Sequence, residues 1–239
     1  MALLSCSVEL ASPAADARLR ALVDVAFPCN LRCAGCRRAG GRGPPNRAAL
    51  AAVAAQLAGV ALQEDVRDVT AVFFGGEPLL DVEALADAAS LVRDACAVGA
   101  RGFEAAVITN GLLLDRVTAG RLAAAGFTTA QLTLLADRRA DGHRAVDVQR
   151  LARVIRNARA ARDVIDVLLR MEVSGPEELR EALALVRVLE QEGLLAPPRP
   201  AAVLLGPPAP YAVQAQALFA APAARRAALA ARGQSPMMR

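Results

Sequence analysis

Six short, nearly all-apolar runs recur along this chain, at 22–27, 69–74, 105–109, 130–135, 164–173 and 201–205. They restrict the fold more than any other feature. Segments of helical period alternate with them, at 47–59, 82–98, 116–125, 146–162, 177–192 and 212–232, the last broken at Pro222. Apolar runs without polar alternation form strands covered on both faces, and strands separated by helices pair in parallel. The spacing therefore predicts six βα units in one α/β domain. Asp81 and Asp115 stand where helix N-caps belong, and Pro176 with Glu177 and Glu178 makes a favourable first turn. Gly59, Gly99 and Gly193 fall where helices are expected to stop. Six units suit an open doubly wound sheet or an incomplete barrel, and periodicity does not choose between them. In both, ligands meet the loops beyond the C-terminal strand ends.

Composition narrows the function classes. A length of 239 residues fits one domain with a substantial core. Aromatic residues make up 3%, too few for base-stacking platforms, and the net charge of +4 comes from arginines scattered along helix-like segments. A solvated surface is expected, with no nucleic-acid partner. No run reaches the roughly eighteen uninterrupted apolar residues of a membrane helix, and the first residues make a poor signal peptide. Five cysteines, three of them within 29–36, argue against a disulfide framework. They point to metal or redox chemistry in the cytoplasm.

The unusual residues all fall just beyond strand ends. Pro28-Cys29-Asn30-Leu31-Arg32-Cys33-Ala34-Gly35-Cys36 follows the first run, and Gly75-Gly76-Glu77-Pro78 the second. Thr109-Asn110-Gly111 closes the third, and an Asp/Arg/His-rich loop at 137–144 follows the fourth. One rim of the sheet thus collects four motifs. The C-x3-C-x2-C spacing supplies three thiolates, which can hold three irons of a cubane cluster and leave the fourth open to another ligand. Zinc would require a fourth ligand, and the single histidine, His143, is distant in sequence. Spacing alone leaves cluster and zinc both standing, and Gly-Gly alone reads as a tight turn.

Taken together, the cysteine loop CNLRCAGC and the run Phe73-Phe74-Gly75-Gly76-Glu77-Pro78 resemble the first two motifs of the radical S-adenosylmethionine (radical SAM) superfamily. The resemblance implies an incomplete (β/α)6 TIM-like barrel at 21–206. A segment at 1–20 would lead into it, and a Pro/Ala/Arg-rich helical tail at 207–239 would follow. It implies that Cys29, Cys33 and Cys36 hold one [4Fe–4S] cluster whose open iron is chelated by S-adenosylmethionine. Reductive cleavage of that cofactor would give a 5′-deoxyadenosyl radical that abstracts hydrogen from a substrate. A donor such as flavodoxin or ferredoxin would supply the electron. By the same resemblance Gly75, Gly76, Glu77 and Pro78 approach the cofactor's amino group, and Thr109 and Asn110 line its pocket. Thr133, in Gln131-Leu132-Thr133, would approach the ribose, and Arg144, or else Arg139, the carboxylate.

Other residues extend or depart from that pattern. Arg170 interrupts an apolar strand, and such a charge must be paired or point into the barrel mouth, with Glu172 on the same face. The mouth is the favoured reading. The family's usual aromatic residue at position 35 is here Gly, which removes a packing surface for adenine. No cysteine follows Cys96, so no auxiliary cluster is expected within this chain. Cys96 reads as a small core residue, and Cys6 as structural rather than a hydrogen-atom donor. The motifs are most similar to those of peptide-modifying members, the sulfatase-maturing and ribosomal-peptide maturases, which implies a peptide substrate. A small-molecule enzyme, a glycyl-radical activase and a catalytically degenerate binding subunit stand as alternatives.

Overall fold

The computed structural model describes residues 6–11, 18–25, 28–31, 33, 47–63, 66–97, 102–134, 137–138, 144–145, 147–197 and 200–206. Their core is one open sheet. Strand β1 (Cys6–Ala11) pairs antiparallel with β2 (Arg18–Asp24). From β2 the sheet runs in parallel through β3 (Asp68–Phe74), β4 (Gly102–Thr109), β5 (Phe127–Leu134), β8 (Asp166–Glu172) and β9 (Ala202–Gly206). The crossovers carry α1 (Arg47–Gln63), α2 (Val82–Cys96), α3 (Arg116–Ala124), α4 (Val148–Ala161) and α5 (Pro176–Gln191). Between β5 and α4 lies a small antiparallel pair, β6 (Asp137–Arg138) and β7 (Arg144–Ala145).

All six expected parallel strands are present, and β1 is additional. Cys6-Ser7-Val8-Glu9-Leu10-Ala11 alternates apolar with polar, the period of an edge strand, and so escapes a search for continuous apolar runs. The sheet thereby takes in part of the segment 1–20. Gly59 does not end α1, which continues to Gln63. A Cβ built at Gly59 meets nothing within 4 Å, so nothing in the local packing requires a glycine or a stop there. Asp81 and Asp115 do cap α2 and α3, accepting from Ala84 N at 2.9 Å and Thr118 N at 2.7 Å. Asp147 does the same for α4. Gly99 and the segment at 212–232 lie outside the described residues.

The choice between a doubly wound sheet and an incomplete barrel is settled by which face the helices cover. Odd-numbered residues of β2 and β3 (Leu19, Ala21, Val23; Val69, Ala71, Phe73) share one core with Val53 and Leu57 of α1, Leu85 and Val92 of α2, and Leu122 of α3. Ile155 of α4 and Leu189 of α5 belong to that same core. The opposite face holds a separate cluster, Leu22, Val72, Phe74, Ala106, Ile108 and Leu168, made of strand residues alone. Helices on both faces would have put helix residues into both clusters. A single helical layer outside a curved sheet is the arrangement of a barrel wall. The inner face also carries Asp24, Thr70, Thr129, Gln131 and Arg170, all buried. A wall that lines a chamber can hold such groups; a wall packed wholly on helices would be apolar.

Candidate functional site

Beyond β2, β3 and β4, three adjacent loops are tied together at the C-terminal rim. The Glu77 backbone N–H donates to the carbonyl of Pro28 at 2.8 Å, joining the loop after β3 to the cysteine loop after β2. The Glu77 carboxylate, 0% exposed, reaches the end of β4. Its Oε1 accepts from the Thr109 hydroxyl at 2.6 Å and from Leu79 N at 3.0 Å, and its Oε2 accepts from Asn110 N at 2.8 Å. Asn110 Nδ2 then donates to Asn30 Oδ1 at 2.8 Å, returning to the cysteine loop. Each loop is thus bonded to both of the others.

Local sequence explains this convergence. Gly75 and Gly76 adopt φ of 120° and 57°, which turn the chain sharply off β3 and are open to glycine at little cost. That turn delivers Glu77 as the cap of a short 3₁₀ turn, Pro78–Leu80, with proline at its first position. Asn110 Oδ1 accepts from Leu112 N at 3.0 Å, an Asx turn that lets Gly111 take φ of 78°. Room is also short there, since a Cβ on Gly111 would lie 2.8 Å from Leu132 Cδ2 and 3.0 Å from Val154 Cγ1. Gly111→Ala is expected to cost about 2 kcal/mol, from the left-handed backbone and the crowding together. Chemical denaturation will measure that loss.

The electrostatics of the rim centre on Glu77. Burial pushes its carboxyl above the ordinary value of 4.5, while the bonds from Thr109, Asn110 and Leu79 pull the other way. Burial is the larger effect. A carboxylate held this way positions three donors rather than sampling solvent. Pro78 is buried beside it, Gly75 is buried, and Gly76 is partly exposed.

The cysteines stand at the mouth. Cys29 and Cys33 are half-buried and free of disulfides, and the backbone N–H of Leu31 donates to Cys29 Sγ at 3.4 Å. Cys36 lies outside the described residues, as do Arg139 and His143. Further along the rim, Thr133 is partly exposed and is paired in register with Arg170 across β5 and β8. Arg170, 4% exposed, lies on the inner face with Glu172 two residues on. Its Nη1 passes 3.6 Å from where a Cβ of Gly206 would be, an ordinary contact distance that sets the guanidinium beside β9. Arg144 lies on β7, opposite Arg138, on the separate two-stranded unit. Two residues bonded to these loops escaped sequence reasoning: Asn30, hidden inside the cysteine motif, and Asn157 on α4. Asn157 offered a usable signal, an amide at helical spacing among Val154, Ala158 and Ala161 on an otherwise apolar stripe.

Residues 26–188 match the family model of the radical SAM superfamily. The chain belongs to that superfamily. This radical SAM chain also has the fold of solved members. It superposes on "Native anSMEcpe with bound AdoMet" with a TM-score of 0.58 at 18% identity, over 78% of this chain and 51% of that one. The same protein with bound AdoMet and a Cp18Cys peptide gives 0.57 at 19%, over 77% and 49%. Methylornithine synthase (PylB) gives 0.51 at 12%, over 78% and 52%. At such identities the likeness is one of fold, and the chain spans about half the length of these structures. No match was found among curated proteins. No helix among the described residues is long and apolar enough to cross a membrane.

The superfamily implies a [4Fe–4S] cluster together with S-adenosylmethionine, and the two described cysteines of the loop, Cys29 and Cys33, are of the residue type that such a cluster takes. Cys29 and Cys33 stand on one short loop at the rim, and the Leu31 N–H is directed at Cys29 Sγ.

Proposed function

We propose that this radical SAM chain is an enzyme in which Cys29, Cys33 and Cys36 hold one [4Fe–4S] cluster and the rim beside them binds S-adenosylmethionine. When bound, that pair supplies a 5′-deoxyadenosyl radical by one-electron cleavage of the sulfonium, and the radical takes hydrogen from a substrate. The observation that carries the reading is the closed set of bonds joining the Pro28, Glu77 and Asn110 loops. Those bonds hold the three loop ends in one surface beside Cys29, which is what a ligand bound across them requires.

The chain's own residues do the remaining work. Gly75 and Gly76 present backbone without Cβ, so a ligand's amino group can approach their carbonyls closely. Glu77 fixes that backbone and orders Thr109 and Asn110 at the neighbouring strand end. Thr133 and Arg170 extend the polar surface along β5 and β8, where a hydroxyl suits a ribose and a guanidinium suits a carboxylate. The inner strand face forms the chamber that holds substrate and excludes water.

Peptide is the proposed substrate class. It rests on the motif resemblance to peptide-modifying members and on the fold shared with a structure that contains a bound peptide. Anaerobic reconstitution of the wild-type chain is expected to give an iron–sulfur absorbance and reductant-dependent 5′-deoxyadenosine. A reconstituted protein that binds iron yet releases none under reduction would defeat the catalytic reading. For the substrate, if a short precursor peptide is encoded beside this gene, it should change mass when incubated with the reduced enzyme. If it is returned intact while a small molecule is consumed, the peptide assignment is wrong.

A further inference from the structure

Asn157 sits on α4 beside Val154, Ala158 and Ala161, and is 9% exposed. A buried amide on an apolar stripe requires partners. Its Nδ2 donates to the carbonyl of Gly111 at 3.0 Å and to that of Leu112 at 2.9 Å. One amide nitrogen therefore satisfies two carbonyls of the turn that follows Thr109 and Asn110.

The bonds continue from that turn into the site. Gly111 N donates to the Thr109 hydroxyl oxygen at 3.1 Å, and that hydroxyl donates to Glu77. Asn110 holds Glu77 through its backbone and Asn30 through its side chain. Asn30 adjoins Cys29. A contiguous path of hydrogen bonds thus runs from a helix packed outside the sheet to the loop that carries the cysteines.

We propose that Asn157 is a positioning residue for the cofactor site, acting through the Thr109–Leu112 turn on Glu77 and Asn30. It touches no cofactor itself. Helix α4 is packed against the sheet, so it gives the turn a rigid anchor that a loop could not provide. The requirement is for a donor at this length: aspartate matches the shape but offers no N–H, and leucine matches the volume but offers no polar group. The proposal rests on reading this rim as the S-adenosylmethionine site.

Two kinds of measurement on Asn157→Asp and Asn157→Leu test it. In the protein without cluster, amide hydrogen exchange at Asn110 should speed up about tenfold, while Leu132 in the core of β5 keeps its protection. In the reconstituted protein, equilibrium dialysis should show S-adenosylmethionine binding weakened about tenfold with iron content unchanged. The turnover number at saturating cofactor should change less than about threefold, the split expected when binding geometry rather than chemistry is impaired. Unchanged Asn110 exchange and unchanged affinity would overturn the proposal. So would a uniform loss of protection across β4 and β5, or failure of both variants to fold, since either assigns Asn157 to stability alone. If the wild type itself neither binds the cofactor nor forms 5′-deoxyadenosine, the functional reading falls. The exchange arm still judges the positioning role in that case.

Discussion

Replacing Cys29, Cys33 and Cys36 together with alanine should leave a folded chain that binds no cluster and forms 5′-deoxyadenosine only at background. Loss of outer partners of a metal site costs about 10–100-fold, so removing all three thiolates should cost more than 100-fold. The fold should survive because Cys29 and Cys33 belong to a half-buried loop rather than to either core cluster. Cys96 cannot take their place. It is 1% exposed on α2, and burial pushes its thiol up to about 11. It is therefore a neutral thiol at ordinary pH and a poor ligand. Cys96→Ala should accordingly keep the full absorbance, which makes it the matched control. Iron content, visible absorbance and product formation check the triple variant, with thermal melting to confirm that it folds. Retention of the cluster signal would show that these are not the ligands.

Much of the wall was legible because its strands are covered on both faces. Such strands read as unbroken apolar runs, and 69–74 matches β3 within one residue. Edges were harder to read. Strand β1 faces a partner on one side only, and its alternation of Ser7 and Glu9 with Val8 and Leu10 is a weaker signal than burial on both faces. Strand β2 begins at Arg18, ahead of the expected start at 22, for a similar reason: Arg18 and Arg20 interrupt the apolar pattern. The open choice of architecture could not be read from periodicity at all. It depends on which face of the sheet the helices cover, and that is decided by crossovers rather than by any one residue.

The site divides along a different line. Residue types with unusual chemistry announced themselves: closely spaced cysteines, paired glycines before an acid, and Thr-Asn-Gly at a strand end. What remained hidden was how they connect. Nothing in the spacing of Glu77 and Thr109 shows a 2.6 Å hydrogen bond between residues 32 positions apart. Nor does the spacing of Asn30 and Asn110, 80 positions apart, show theirs. Both bonds follow from the parallel order β2-β3-β4, which brings three successive strand ends side by side. The sequence chemistry marked the ligands and the topology made them neighbours.

That connection makes Glu77→Ala the most damaging single change expected at the rim. Truncation leaves the Thr109 hydroxyl and two backbone N–H groups, of Leu79 and Asn110, without their acceptor in a fully buried place. Each neutral donor stranded in a buried place costs about 1–3 kcal/mol, and denaturant titration should show a loss of at least that order. Activity should fall further than stability alone requires, by about 100-fold in folded protein, because misplacement of a positioned site by about 1 Å has that effect. Glu77→Gln separates the charge from the shape. Burial holds the folded carboxyl above its ordinary value of 4.5, so the native state retains a proton to higher pH than the unfolded chain does. The stability contributed there is fully present below 4.5 and is lost as pH rises through the folded value. Wild-type stability should therefore decline across that window at this site, and Glu77→Gln should abolish that part of the decline. Melting temperatures recorded from acid to neutral pH on both proteins decide it, and parallel curves would mean that Glu77 does not titrate as its burial requires. A protein that keeps a carboxylate in this position accepts that loss of stability above the folded value, and in return gains an acceptor that holds Leu79, Thr109 and Asn110 in one geometry.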